Sequence, residues 1–234
     1  MNTIFKTMVE LQHKFNEQTI ENYLSKNLDW NSAIIAESGE LLDSLGYKWW
    51  KKQVPDMDNV KVEAIDLLHF VISEAINQFK LVTNDYISDT IQEFQDLFND
   101  DNQLKYFYFI SDDSIQQLIS ELNFNQKPRF LILKLIFQQL NMTNEDVYIA
   151  YIVKNCLNKF RQDNGYKEGT YIKVWNDRED NVVAYEIANE WGANEELFEQ
   201  LYMDLETYYN ENVLKVKKDS ILDKIDFFNT QTVN

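Results

Sequence analysis

Proline and glycine are nearly missing from this chain, with two Pro and five Gly in 234 residues. A sequence so poor in helix breakers and turn formers cannot readily build a strand-rich, turn-rich fold, and the expected class is all-α with long uninterrupted helices. Cysteine is just as scarce. Cys156 stands alone, which excludes an intramolecular disulfide framework and fits a reducing compartment. It lies between Val153 and Phe160 at helical spacing, so it reads as a packing residue and not as a nucleophile. Positive charge is short as well: 22 Lys and Arg face 39 Asp and Glu, for a net charge of −17. With no basic surplus to release counterions, nucleic acid and anionic membrane are excluded as partners, and an anionic substrate would need a metal to approach. Long apolar runs are also lacking. The most apolar stretch, Phe130 to Phe137, is short and interrupted by Lys134, and the opening Met-Asn-Thr-Ile-Phe-Lys carries no signal-peptide pattern. The expectation is a soluble cytoplasmic protein.

What is present is helical periodicity. The length suffices for a sizeable core in one large domain or two small ones. Between residues 3 and 24, Ile4, Met8, Leu11, Phe15 and Ile20 form an apolar stripe, with Gln12 and Asn16 one turn apart beside it. A second helix is expected from about Asn31 to Leu45, stopping at Gly46, and then a connector from Tyr47 to Asp58 with two Trp, three Lys and Pro55. A third, apolar on most of its circumference, should cover about Val60 to Lys80 as a central bundle helix. From Asn84 to Asn141 the pattern stays helical, with breaks expected at Asp100-Asp101-Asn102 and at Lys127-Pro128. Thr143-Asn144-Glu145-Asp146 resembles a capping box that starts a helix running to Asn164, with Gly165 as its left-handed terminator. A loop from Tyr166 to Asp180 and helices from about Asn181 to Trp191 and from Glu195 to Tyr209 complete the pattern, and the tail from Val213 is mixed.

Chemistry concentrates in Glu37-Ser-Gly-Glu40 and Glu63-Ala-Ile-Asp66. Each pair is three residues apart, so on a helix both acids face one way. One such pair is commonplace on a solvated face. Two pairs, bracketed by Ile34, Ile35, Leu41 and Leu42 and by Val62, Ile65, Leu67 and Leu68, are not explained that way. Four carboxylates among apolar neighbours would repel and suffer desolvation unless a cation sat among them, and an all-oxygen donor set suits Mg²⁺, with Mn²⁺ as a substitute.

A second cluster is basic. Lys154, Asn158 and Arg161 fall on one helix face and are followed by Tyr166-Lys-Glu-Gly-Thr-Tyr-Ile-Lys173. In so acidic a chain this concentration of Lys, Arg, Asn and Tyr is what a polyphosphate tail would need. A solvated face with incidental basic residues is the competing explanation. Taken alone, Trp49 and Phe70 read as core residues and His69 as a satisfied buried histidine.

Together these segments resemble the dimeric dUTPases of the all-α nucleoside triphosphate pyrophosphatase superfamily, which also includes phage dCTPases and MazG-like enzymes. The resemblance is carried by Leu11-Gln12-His13-Lys14-Phe15-Asn16, the two acid pairs, Trp49-Trp50-Lys51, His69-Phe70, and the block from Lys154 through Trp175 to Glu179-Asp180-Asn181. It implies a single domain: metal- and base-binding helices over 1–83, a helical insertion over 84–141, a phosphate-binding half over 142–211 that closes over the nucleotide, and a tail over 212–234. It implies Mg²⁺-dependent hydrolysis of dUTP and dUDP to dUMP by a homodimer, with two or three ions held by Glu37, Glu40, Glu63 and Asp66. Glu37 would take the proton of the attacking water. Lys154, Asn158, Arg161, Tyr166 and Lys173 would hold the phosphates, Gln12, Asn16 and Trp49 the base, and His69 and Phe70 the deoxyribose. Hydrolysis of dCTP or of dNTPs broadly is the alternative on the same fold, and a helical nucleotide-binding regulatory protein is the alternative without catalysis.

Overall fold

The computed structural model describes residues 2–99, 114–124 and 129–215, and these form nine α-helices and one two-stranded ribbon. The all-α expectation is met. The chain divides into two compact units, Met1–Tyr151 and Ile152–Asn234. Among the described residues no helix is long and apolar enough to cross a membrane.

The first unit contains α1 (Asn2–Thr19), α2 (Trp30–Ser44), α3 (Met57–Lys80), α4 (Tyr86–Asn99), α5 (Ile115–Phe124), α6 (Arg129–Gln139) and the start of α7 (Asn144–Asp163). Local chemistry sets their ends. Asp29 accepts hydrogen bonds from the Ser32 amide at 3.0 Å and the Ser32 hydroxyl at 2.6 Å, which starts α2. At its other end Gly46 has φ +69°, and the amides of Gly46 and Tyr47 bond back to the carbonyls of Asp43 and Leu42 in a Schellman motif. The α7 capping box is reciprocal: the Thr143 amide donates to Asp146 at 2.8 Å and the Asp146 amide donates to the Thr143 hydroxyl at 3.1 Å. Gly165, at φ +85°, ends that helix as the sequence suggests. The first helix is shorter than its periodicity predicts. It stops at Thr19, Asn22 turns left-handed at φ 55°, and one 3₁₀ turn, Tyr23–Ser25, follows.

Helix α3 is the central element, burying Val60, Ala64, Ile65, Leu67, Leu68, Val71 and Ile72 with its α2 neighbours Ile34 and Leu41. Each Val, Ile or Leu side chain so removed from water contributes roughly 1.5–3 kcal/mol. The described parts of the segment read as an insertion, α4 to α6, contribute to this core. Phe94 of α4 lies 4.9 Å from Phe5 and stacks on Phe130 at 4.6 Å. Asn123 of α5 donates to Ser38 at 2.9 Å, and the buried Arg129 of α6 pairs with Glu74 and donates to Asn31. The expected breaks at Asp100-Asp101-Asn102 and Lys127-Pro128 lie outside the described residues.

In the second unit, α8 (Asp180–Trp191) packs Val183, Ala184 and Ala188 against Leu197, Leu201 and Leu205 of α9 (Leu197–Tyr209). The stretch read as a loop contains a short antiparallel ribbon, β1 (Val174–Trp175) with β2 (Arg178–Glu179), in register Val174 to Glu179 and Trp175 to Arg178. Asn176 and Asp177 both have positive φ, 49° and 63°, the requirement of a two-residue type I′ turn. Trp175 is buried, its indole donating to the Ile172 carbonyl at 2.7 Å, among Phe160, Tyr171, Tyr208 and Tyr209. Val213 is buried in a π-helical turn that continues α9, so the tail read from that position begins as ordered helix, and the rest of it, from residue 216, lies outside the described residues.

Candidate active site

Three of the four sequence-predicted acids meet. Glu37 of α2 and Glu63 and Asp66 of α3 each offer a carboxylate oxygen, and these atoms all lie within 4.8 Å of one another. The three-residue spacing of Glu63 and Asp66 puts both on the α3 face turned to α2, as expected. Glu40 does not join this triad. It stands exposed on the wall of a groove of about 430 Å³, lined also by Gly39, Asp43, Lys48, Asn59 and Glu63. Glu63 therefore belongs to both triad and groove, and it is only 8% exposed. Asn59 steadies it, donating to Glu63 at 3.0 Å and to the Ser44 hydroxyl at 2.8 Å. Sequence reasoning missed Asn59, although its place one turn before Glu63 on the same helix was a usable signal. Asp43, another acid of the groove, is paired with Lys48, whose hydrogen bond holds the Asp43 carboxyl below the usual carboxylate range. Three close carboxylates with only oxygen donors fit a hard divalent cation such as Mg²⁺ or Mn²⁺ and offer nothing to a soft metal.

The predicted base-binding amides are buried and joined to each other. Gln12 and Asn16 are 4% and 6% exposed, and Gln12 Nε2 donates to Asn16 Oδ1 at 2.9 Å. Gln12 Oε1 accepts from the Tyr151 hydroxyl and meets His69 Nδ1, both at 2.7 Å. Asn16 Nδ2 donates to the Ser73 hydroxyl at 3.0 Å. The His69 ring stacks on Tyr151, with centroids 4.1 Å apart and planes 24° from parallel. Phe70 is half-buried against Trp30, at 6.3 Å between centroids. Trp49 is not a core residue: it is 88% exposed in the connector, edge-on to Trp50. Trp50 and Val54 of the same connector are exposed as well, so the ring has no buried apolar neighbour there.

In the second unit the basic residues hold separate positions. Arg161 makes a two-pronged contact with Asp180, Nε to Oδ2 at 2.8 Å and Nη2 to Oδ1 at 2.7 Å. Asp180 is fully buried and also accepts from the Tyr171 hydroxyl and the Asn181 amide, each at 2.8 Å. Burial draws the Arg161 guanidinium down, but its bonds to Asp180 outweigh that and raise it above its ordinary value. Lys173 is exposed, 3.4 Å from Glu179, and Tyr166 is exposed. Lys154 and Asn158 are half-buried on α7. The anchoring of Arg161 by Asp180 is something no spacing rule reveals, because the two residues are nineteen apart in sequence.

The predicted packing role of Cys156 holds. It is buried, and burial raises its thiol far above the ordinary range, which leaves no thiolate to act as nucleophile.

No curated protein matches the chain. The family model described as dUTPase matches residues 4–166, well over half of the sequence, including the acid triad, the amide network and the basic positions from Lys154 to Tyr166. Members of that family are generally metal-dependent, and the carboxylate cluster supplies a fitting site. An all-α chain with that match over those residues belongs to the dUTPase family and is a dUTP diphosphatase.

Proposed function

We propose that the enzyme is a Mg²⁺-dependent homodimer that hydrolyses dUTP, and dUDP with it, to dUMP, supplying dUMP and keeping uracil out of DNA. The observation that carries the metal reading is the meeting of Glu37, Glu63 and Asp66 within 4.8 Å beside an open groove. Glu37, Glu63 and Asp66 would hold the ions, two or three in number, with Glu40 reaching in from the groove wall. Bound there, Mg²⁺ supplies positive charge against the developing phosphate charge and acidity to an adjacent water.

The chain's own residues do the rest. Glu37 takes a proton from the attacking water as general base. Lys154, Asn158, Arg161, Tyr166 and Lys173 bind the phosphates, Arg161 being held in orientation by Asp180. Gln12, Asn16 and Trp49 select the base, and His69 and Phe70 pack on the deoxyribose, where Phe70 leaves no room for a ribose 2′-hydroxyl. The exposed ring of Trp49 supports a role outside the core.

A panel of dUTP, dUDP, dCTP, dTTP and UTP, turned over with Mg²⁺ or Mn²⁺ and followed by ³¹P NMR, tests this reading. Preference for dUTP and dUDP with dUMP as product is expected. Equal turnover of dCTP would move the protein to the dCTPase or broad-specificity branch, and full activity in excess chelator would end the metal assignment.

A further inference from the structure

The hydrogen bonds around Gln12 can be followed proton by proton from one fixed end. Ser73 is fully buried in the middle of α3, and its hydroxyl donates to the His69 carbonyl one turn back, at 2.8 Å. A hydroxyl has one proton. With that proton spent on backbone, Ser73 Oγ can only accept from Asn16, so Asn16 must present its NH₂ there and its carbonyl to Gln12. Gln12 must then present NH₂ to Asn16 and its carbonyl to Tyr151 and His69. The Tyr151 hydroxyl agrees, because Gln12 Oε1 at 2.7 Å is a nearer acceptor than the Met8 carbonyl at 3.1 Å. Both lone pairs of the Gln12 carbonyl are thereby engaged. Within this network Gln12 keeps one uncommitted group, an N–H, and no acceptor.

We propose that Ser73 is a positioning residue for base selection: by fixing the sense of the Asn16 and Gln12 amides, it leaves Gln12 able only to donate, so that Gln12, facing the 4-position of a pyrimidine, takes a carbonyl there and rejects an amino group. The proposal rests on the reading that Gln12 contacts the base. Tyr151 and His69 hold the same sense from the other side, since His69 must carry its proton on Nδ1 to meet the Gln12 carbonyl. Without the serine hydroxyl, Asn16 and Gln12 can turn over together, provided that Tyr151 turns its proton to the Met8 carbonyl at 3.1 Å and His69 moves its own from Nδ1 to Nε2, so that both then accept from the Gln12 NH₂. Gln12 then accepts from an amino group as well as it donates to a carbonyl.

Two measurements test this. In ¹⁵N NMR of the substrate-free protein in alkaline buffer, His69 should be the Nδ1–H tautomer, its signals assigned by their persistence in His13→Gln. An Nε2–H tautomer overturns the proposal, whatever the enzyme turns over. In kinetics, Ser73→Ala should lower the dUTP over dCTP ratio of kcat/KM by about tenfold or more, mainly through a gain for dCTP, and Ser73→Thr, which restores a hydroxyl, should recover it. A simple packing defect would depress both substrates together, and an unchanged ratio in Ser73→Ala overturns the proposal. If the unaltered enzyme prefers dCTP or ignores the base, the uracil reading itself fails, and the tautomer still decides whether the amides are fixed.

Discussion

Neutralising one acid of the triad should separate catalysis from stability. Three carboxylates within 4.8 Å repel one another when no cation is bound, so the metal-free protein gains nothing from their combined charge. Glu37→Gln, Glu63→Gln and Asp66→Asn should each abolish turnover or reduce it severely while leaving the metal-free melting temperature unchanged or raised. Differential scanning fluorimetry beside an activity assay checks this, and a variant with near-normal rates at limiting Mg²⁺ removes its residue from the site. His13 offers a pH test at the same scale. Burial lowers its pKa below the ordinary value near 6.5, against the opposing charge of Glu17. The folded state thus binds that proton less readily than the unfolded chain, so the His13 contribution is intact above about pH 6.5 and is lost as pH falls through the folded value. Urea titrations at several pH values should show that acid-side loss in the parent and a shallower one in His13→Gln.

At the level of elements, two sites tie helix ends and faces to the chemistry. Gly39 lies inside α2 on the groove wall, and a Cβ there would meet nothing within 4 Å. Gly39→Ala should therefore raise stability by roughly 0.5–1 kcal/mol through helix propensity. It also places a methyl group in the groove, so kcat/KM should fall even as the melting temperature rises. Unchanged kcat/KM would mean that substrate does not use that wall. Asp180 begins α8 and receives Arg161 of α7, Tyr171 and its own helix amide. Asp180→Asn leaves the guanidinium without its counter-charge, and breaking a buried pair costs about 3–5 kcal/mol. Denaturant unfolding should register that loss together with weaker phosphate binding, whereas Lys173→Ala, an exposed position, should cost rate and almost no stability.

For the whole molecule, the −17 charge sets the response to ions. Self-repulsion weakens a compact state of such charge, and salt screens it over about 8–10 Å near physiological ionic strength. Monovalent salt should raise the melting temperature modestly in the parent and in Glu63→Gln alike. Mg²⁺ should add a further saturable rise in the parent alone, by preferential binding to the folded state. Equal Mg²⁺ responses in both proteins would make the effect one of general screening and would argue against a specific site.

The sequence by itself determined the fold class, because a chain with so few helix breakers and such regular apolar spacing has no other way to bury its core. It also located the ends of α2 and α7, where Gly46 and Gly165 supply the left-handed residue that a Schellman motif requires. The same-face pairing of Glu63 and Asp66 was legible, being a local property of one helix. Four features were not, since none of them is a local property of one helix. The exclusion of Glu40 from the triad depends on how α2 packs on α3, and the exposure of Trp49 on a connector with no core to join. The commitment of Arg161 to Asp180 depends on the ribbon that Asn176 and Asp177 turn between them. The sense of the Gln12 amide is set by Ser73 and Tyr151, at sequence separations of 61 and 139 residues from it. Tertiary packing alone brings those hydroxyls within hydrogen-bond reach of the amide chain, and the direction of each hydrogen bond follows from where the protons must go.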